Sequence, residues 1–428
     1  MRNLDRFALT IGAAALFTGC GGSQPPIGVP PSAQRLNEPS RHPLNNGAYK
    51  LLYSFKGGAD GEYPAAGLTL VNGTLYGTTY DGGDLSCASG FGCGTVFRVS
   101  TAGSEQVIYA FKGGADAAGP VVALLNLNGT LYGTTQSGGS SVSAFGTVFS
   151  VTTSGSERVL YSFKSGNDGA QPFSSLIAVN GKLYGSTLFG GDNTRCAGGC
   201  GTVFEISTSG RERILYRFKG YPHDGEEPIG ALVAMNGELY GTTWIGGSGA
   251  CYHGCGTIFA LSTSGKERVL HNFNGAPDGE NPEGALVNVG GTLYGTTIDG
   301  GAGAACANFG GCGTFFRLTP SSTSGSYSVI YSFVGGRNSA EPNGGLLPLN
   351  GIFYGTAAGG NRCGSNTTCG TVFDVSTSGK EHVLHRFHRK GGQGGGPGWP
   401  LVAANGLIYG TTSYGGASNL GAVYRIEP

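Results

Sequence analysis

The fold of this chain is predicted most directly by the segment Leu68-Thr-Leu-Val-Asn-Gly-Thr-Leu-Tyr-Gly-Thr-Thr79. Apolar and polar residues alternate on both sides of an Asn-Gly pair, a strong signal for a hairpin because a type I′ turn needs two positive φ angles. The tripeptide Tyr-Gly-Thr, with Ser for Thr in the third copy, recurs at Tyr76, Tyr132, Tyr184, Tyr240, Tyr294, Tyr354 and Tyr409. Six copies follow Asn-Gly and one follows Gly290-Gly291. The chain is therefore predicted to be an array of seven tandem repeats.

Each repeat is predicted to contain four strands, which we call a, b, c and d. Strands a and b form the hairpin, and a Gly-Gly pair such as Gly82-Gly83 follows strand b. Strand c is typified by residues 94–100 and strand d by residues 212–218. These runs alternate and are rich in Val, Ile, Tyr, Phe and Thr, as strands should be. Four strands in each repeat predict one blade of a β-propeller.

The two ends of the array predict a closed ring. The last repeat stops at strand c, residues 421–426, and has no strand d. An orphan strand at residues 49–55 precedes the first repeat and matches strand d elsewhere, for example residues 159–163. The predicted fold is therefore all-β, a seven-bladed β-propeller over residues 49–428, in which the N-terminal strand completes the last blade.

The repeated motifs also resemble the GloVer tandem repeat of bacterial surface proteins. The motif string is Asn-Gly-x-Leu-Tyr-Gly-Thr-Thr, then Gly-Gly, then Gly-Thr-Val-Phe, then Thr-Ser-Gly-x-Glu, and it extends over residues 49–428. The resemblance implies a surface protein that is attached by a sorting signal. It supplies no catalytic residue that could be transferred to this chain.

Residues 1–19 have the pattern of an export signal. Arg2 and Arg6 precede an apolar run, residues 7–18, that is too short to span a bilayer as a stable helix. The run leads into Phe-Thr-Gly-Cys20, which resembles the lipobox of bacterial lipoproteins and implies acylation of Cys20. An ordinary secretory signal that is cut nearby is the alternative.

Residues 20–48 are rich in Pro, Ser, Asn and Gly, and we expect them to form a flexible tether. The expected location is the outer membrane or the cell surface, with the N-terminal lipid as the only contact with the membrane.

Ten further cysteines fall into close pairs, each in the loop between strands b and c. The pairs are Cys87/Cys93, Cys196/Cys200, Cys251/Cys255, Cys306/Cys312 and Cys363/Cys369. Repeats two and seven lack both members of the pair. Bonded cysteines are expected to be lost together, so we predict five local disulfides. A zinc site would need four converging ligands, and pairs in neighbouring blades lie apart around the ring. We expect neither a metal site nor a cofactor.

Composition narrows the range of functions. Lys+Arg and Asp+Glu both number 26, so the net charge gives no reason to expect a nucleic-acid partner. The chain contains no Gly-x-Ser-x-Gly, His-Glu-x-x-His, P-loop or dinucleotide-binding motif.

The loop between strand d and the next strand a supplies candidate binding residues. It reads Asp-Gly-x-x-Pro, with Asp60, Asp168, Asp224 and Asp278 at matching positions. The plain interpretation is a turn in which Asp accepts hydrogen bonds from nearby backbone N–H groups. The functional interpretation is a set of carboxylates that binds sugar hydroxyls or a cation, although calcium would need six or more oxygens at one place.

Two departures from the repeat, His223 and Trp244, complete the candidate site. The a–b turns have two residues, so they leave little room for a site. The opposite face carries the longer loops, the cysteine pairs and the Asp-Gly motifs, and rigid loops on a stable scaffold often bind ligands.

We expect a monomeric binding or scaffold module rather than an enzyme. Seven similar blades suit a repetitive partner such as a polysaccharide or a cell-wall glycan. One alternative is a surface glycan lyase or hydrolase that uses Asp224, His223 or Glu226, because an acid and a base converging at one blade would indicate catalysis. The other is a platform for another surface protein.

Overall fold

The computed structural model describes residues 49–428, except 141–143, 193, 304, 307–309, 361–368 and 389–391. The predicted signal at 1–19, the predicted tether at 20–48 and Cys363 lie outside the described residues. The described residues form strands and two short 3-10 turns, Gly58–Asp60 and Ala88–Gly90. Among them, no helix has the length and hydropathy to cross a membrane.

Seven four-stranded antiparallel sheets form the blades, each in the order a-b-c-d. The a strands are Thr69–Val71, Leu125–Leu127, Ile177–Val179, Val233–Met235, Val287–Val289, Leu347–Leu349 and Val402–Ala404. The b strands are Thr74–Thr79, Thr130–Gly138, Lys182–Gly190, Glu238–Thr243, Thr292–Thr297, Ile352–Ala357 and Leu407–Thr412. The predicted seven-bladed β-propeller is confirmed.

The outer half of each blade follows the same pattern. The c strands are Thr95–Ser100, Thr147–Thr152, Thr202–Ser207, Thr257–Ser262, Thr314–Pro320, Thr371–Ser376 and Ala422–Ile426. The d strands of blades 1 to 6 are Glu105–Ala110, Glu157–Ser162, Glu212–Arg217, Glu267–Asn272, Gly325–Ser332 and Glu381–Arg386. The d strand of blade 7 is Lys50–Ser54, which pairs antiparallel with Ala422–Ile426 and places Lys50 opposite Arg425. The predicted closure of the ring is therefore confirmed.

The d–a loop of every blade is tied to the segment at the end of strand b. Short strands do this in three blades: Ala117–Pro120 and Gly169–Pro172 pair with the far ends of their b strands, and Gly225–Glu226 pairs with Ile245–Gly246. Single bridges do the same in the other four: Glu62 with Asp81, Glu280 with Asp299, Ala340 with Gly359, and Gly395 with Tyr414.

The hydrophobic core lies between neighbouring blades. Phe55 at the end of one strand d meets Phe97 of the next strand c edge to face, with ring centroids 5.0 Å apart, and both are fully buried. The contact recurs at the other six junctions, with Tyr424 in place of the second Phe at one of them. A Cβ on Gly77 would lie 2.5 Å from Cζ of Phe97, so the glycine of Tyr-Gly-Thr leaves room for the ring.

Buried threonines join strands b and c. The hydroxyl of Thr79 lies 2.8 Å from that of Thr95, and four further blades repeat this pair. Each hydroxyl therefore has a partner inside the sheet, where an unpaired one would be costly. This pairing explains why Thr stands both at the end of strand b and after the glycine that precedes strand c.

Candidate functional site

The two faces of the propeller differ in the loops they carry. Because the strands alternate in direction, the a–b and c–d turns share one face and the b–c and d–a loops share the other. The a–b turns are tight: Asn72 and Gly73 have φ of 49° and 80°, as a type I′ turn requires. The longer b–c and d–a loops, which we call the loop face, are left to hold a site.

Disulfides close the b–c loops of four blades. The bonds are Cys87–Cys93, Cys196–Cys200, Cys251–Cys255 and Cys306–Cys312, as predicted. Cys369 is also disulfide-bonded, and its predicted partner Cys363 lies outside the described residues. The disulfides indicate an oxidising environment, as in exported proteins.

The d–a loops hold an unusual backbone conformation that the sequence analysis missed. In each loop the residue before the proline has a positive φ: Tyr63, Gly119, Gln171, Glu227, Asn281, Glu341 and Gly396. Its N–H donates to the carbonyl that precedes strand c of the previous blade, for example from Glu227 to Cys200 at 3.0 Å. The loop face is therefore fastened from blade to blade, partly through the second cysteine of each disulfide.

The four predicted aspartates lie at four different junctions, and the structure does not bring them together. Asp168 accepts hydrogen bonds from the Tyr161 hydroxyl at 2.9 Å and from the Lys164 N–H at 3.0 Å. Asp60 makes the corresponding bonds to Tyr53 and to the Lys56 N–H. These bonds close the turn between strands d and a, which agrees with the plain interpretation of the motif.

The other two aspartates follow this pattern. Asp224 accepts from the Tyr216 hydroxyl at 2.7 Å and from the N–H groups of Lys219 and Gly225 at 2.8 and 2.7 Å. Asp278 is hydrogen-bonded to the ring of His271 at 3.1 Å and to the Asn274 N–H at 3.1 Å.

A glutamate from the next blade joins the junctions of Asp60, Asp168 and Asp224, and also that of Asp116 in the corresponding loop, and the sequence analysis missed these groups too. They open strand d and are Glu105, Glu157, Glu212 and Glu267. Burial, with the neighbouring aspartate, raises the pKa of each to about 7. Their Oε1 atoms are buried and have no hydrogen-bond partner among the described residues. Each of these four junctions thus holds a carboxyl group that is about half protonated at pH 7.

At two junctions, both the Tyr at the end of strand d and the Glu of the next blade are replaced. Where strand d ends in His271 instead of Tyr, the next blade supplies Tyr327 instead of Glu, and the rings stack at 3.8 Å. His385 likewise stacks on Tyr49 at 4.2 Å, and burial lowers the pKa of His385 to about 4. At every junction, Tyr therefore meets Glu or His meets Tyr.

A cleft of about 470 Å³ lies on the loop face between blades 3 and 4, and we call it the 3–4 cleft. Its lining includes Asp192, Arg195, Lys219, His223, Asp224 and Glu267. An adjacent groove shares Asp192 and Lys219 and adds Asn167 and Arg217. The structure thus brings two predicted residues, His223 and Asp224, into one cleft with charged groups that the sequence analysis did not select. Trp244 does not line this cleft.

Exposed aromatic side chains lie on the two loops beside the 3–4 cleft. Tyr252 is 90% exposed on the loop that the Cys251–Cys255 disulfide closes, and Tyr221, 44% exposed, lies between Lys219 and His223. The His253 ring lies 4.3 Å from the Tyr252 ring and 6.4 Å from the Tyr221 ring. We call these three side chains the aromatic patch.

Other buried carboxyl groups lie in the d–a loops and the following segments of blades 4 and 5. Burial raises the pKa of Glu227, Glu283 and Asp299 to about 7. Within the described ranges, no group of three or more His, Cys, Asp or Glu side chains is arranged to hold a metal ion.

Comparison with known proteins identifies a family over most of the chain. The family described as Gloeobacter/Verrucomicrobia repeat matches residues 85–309 and 303–428. No curated protein matches the sequence.

The chain is also similar in fold to solved structures at low sequence identity. The tricorn protease is 11% identical with a TM-score of 0.40, and the match covers 82% of this chain but 27% of that one. For an acylaminoacyl peptidase of Pyrococcus horikoshii the identity is 10% and the TM-score 0.45, with 86% of this chain and 52% of that chain covered. The GH93 α-L-arabinofuranosidase of Fusarium graminearum is 14% identical with a TM-score of 0.43, and the match covers 74% of this chain and 93% of that one.

Proposed function

The chain belongs to the Gloeobacter/Verrucomicrobia repeat family, and for this member we propose a role as an exported module that binds polysaccharide at the cell surface. The observation that carries the proposal is the aromatic patch. A tyrosine that is 90% exposed on a disulfide-closed loop offers a flat, amphipathic surface at little cost in conformational entropy on binding. Sugar rings present C–H groups that pack on such a surface, while their hydroxyls need polar groups like those of the 3–4 cleft.

The geometry favours binding over catalysis. Asp224, a candidate for catalysis, is buried and already accepts three hydrogen bonds within the protein. The Tyr216–Asp224–Glu267 arrangement is also repeated at three other junctions, as Tyr161–Asp168–Glu212 illustrates. A group that appears in several copies as part of the blade junction is explained by structure, whereas a catalytic group is expected to be a departure from the repeat.

The test is a binding screen on full-length protein that carries Cys20→Ala to keep it soluble. We expect binding to at least one polysaccharide without turnover, and a loss of roughly tenfold or more in affinity for Tyr252→Ala, equivalent to about 1.4 kcal/mol. Phe91→Ala is the matched control, because Phe91 is 66% exposed within the Cys87–Cys93 loop of blade 1. Product release would favour the enzyme, and capture of a surface protein without glycan binding would favour the protein platform.

We further propose that a lipid on Cys20 holds the protein at the cell surface. The proposal is supported by the lipobox-like Phe-Thr-Gly-Cys20 and by the disulfides, which fit export. Changing Cys20 to Ala should move the protein from the membrane fraction to the soluble fraction, measured by immunoblot after fractionation. The unchanged protein is the control, and equal membrane association of both forms would contradict the anchor.

A further inference from the structure

We infer that the 3–4 cleft selects acidic polysaccharides and binds the carboxylate of a uronic acid residue through Arg195 and Lys219. This inference rests on the proposed function and names its substrate class. Both side chains are exposed and line the same cleft, although they come from different loops. Arginine's planar fork matches a carboxylate in two-point geometry, and lysine adds a mobile point charge.

The two cations of the cleft are free of ion pairs among the described residues, whereas three other cations of blades 3 and 4 are held by glutamates. Lys182 and Arg213 both pair with Glu205, at 2.8 and 3.3 Å. Arg268 pairs with Glu238 at 2.5 Å. Within the part of the chain that the structure describes, neither Arg195 nor Lys219 forms an ion pair. An acidic ligand would therefore not have to displace a carboxylate of the protein from them.

The carboxyl groups of the cleft repel an acidic ligand less strongly than their number would suggest. Asp224 is turned inward by its three hydrogen bonds, and Glu267 stays largely protonated below its pKa of about 7. Asp192 is the half-buried competitor: the N–H and hydroxyl of Thr194 hold its carboxylate at 2.9 and 2.7 Å, and these bonds, with Arg195 and Lys219, lower its pKa. The cleft and the adjoining groove together set three cations, Arg195, Lys219 and Arg217, beside this carboxylate.

The basic pair is a departure from the repeat. Lys56, Lys112 and Lys164 occupy the position of Lys219 at other junctions. At the position of Arg195, directly before the first cysteine, blades 1, 4 and 5 have Ser86, Ala250 and Ala305. Blade 6 has Arg362, which lies outside the described residues. Of the blades compared, only blade 1 also has the lysine, as Lys112, and it has Ser86 in place of Arg195, so the addition of Arg195 distinguishes the 3–4 cleft from that junction.

The cleft and the aromatic patch share one d–a loop. Tyr221 lies between Lys219 and His223 in sequence, and its ring is 6.4 Å from that of His253, so we propose that a polysaccharide bound at Lys219 extends onto the patch. Charge would choose the polymer, and the rings would supply contact area with the sugars.

The experiment compares polygalacturonate, its fully methyl-esterified form and a neutral glucan, using full-length protein with Cys20→Ala. We expect the carboxylate polymer to bind at least tenfold more tightly than the ester, with affinity that falls as salt rises. The double variant Arg195→Gln with Lys219→Gln should bind polygalacturonate at least tenfold more weakly, with no change in its affinity for the other two polymers. Lys112→Gln with Lys164→Gln, which also removes two positive charges but at junctions outside this cleft, should leave affinity unchanged, and equal melting temperatures exclude misfolding.

Each result has a defined meaning. Equal affinity for the acidic, esterified and neutral polymers, or full affinity in the Arg195/Lys219 variant, would overturn the charge selection and leave the proposed glycan binding intact. Binding to a phosphodiester polymer but not to any polyuronate, such as alginate, would overturn the carboxylate assignment. Binding to no polysaccharide would remove the proposed function itself.

Discussion

At the scale of single residues, the blade junctions make stability depend on pH. Glu105, Glu157, Glu212 and Glu267 have pKa values raised to about 7, chiefly by burial. The unfolded chain titrates these groups near pH 4.3, so between that pH and about 7 the folded state holds more protons. The free energy of unfolding must then fall as pH rises through this window, and it levels off above it.

We therefore expect a lower melting temperature at pH 8 than at pH 5.5, measured by calorimetry at constant ionic strength. Replacing all four glutamates by glutamine keeps a neutral hydrogen-bonding group at each junction and should reduce the slope. Glu227, Glu283 and Asp299, whose pKa values are also raised to about 7, should account for the slope that remains. Glu427→Gln, at an exposed position outside the blade junctions, is the control. A melting temperature that rises with pH, or a full slope in the fourfold variant, would show that these groups are not responsible.

At the scale of elements, the disulfides matter more for shaping loops than for holding the fold. Cys251 and Cys255 are four residues apart, and for so small a loop the chain-entropy contribution is about 2 kcal/mol. Replacing both by serine should lower the free energy of unfolding by about that amount in denaturant titrations. Because Tyr252 would lose its fixed position, the loss in the free energy of glycan binding should exceed the loss in the free energy of unfolding.

The pair Cys306/Cys312 offers a control, because replacing it by serine alters another blade and should leave glycan affinity intact. If both double variants bind glycan as the parent does, the disulfide does not position Tyr252.

The elements also show which features could be predicted from sequence. The hairpin at Asn72-Gly73 was predictable because a type I′ turn is set by two neighbouring residues. The left-handed conformation of Glu227 was not, since residues before proline usually adopt extended backbone and this one is fixed by a carbonyl in the previous blade.

The candidate site likewise contains residues that could be predicted from the sequence and residues that could not. His223 and Asp224 stood out as neighbours in one motif and do share the cleft. Arg195, Glu267 and Tyr252 come from three other segments, and no local pattern places them beside that motif.

At the scale of the whole molecule, closure of the ring depends on one short strand. Lys50–Ser54 covers the edge of Ala422–Ile426, and Phe55 fills the contact with blade 1. Deleting residues 49–55 should expose that edge, lower the melting temperature sharply and promote association of monomers, measured by light scattering. Deleting residues 38–44 is the control of equal length. A deletion variant that melts like the intact protein would contradict closure by this strand.

The paired exchange at the junctions bears on how such an array can evolve. Strand d of each repeat begins with the side chain, Glu or Tyr, that contacts the previous blade. It ends with the side chain, Tyr or His, that contacts the next blade. Repeats 1 to 3 carry Glu and Tyr in these places, so each could replace another without a mismatch. Repeats 4 and 6 carry Glu and His, and repeats 5 and 7 carry Tyr and Tyr. Recombination that duplicated repeat 4 or repeat 5 alone would bring unmatched partners together, so we expect these repeats to be duplicated as couples.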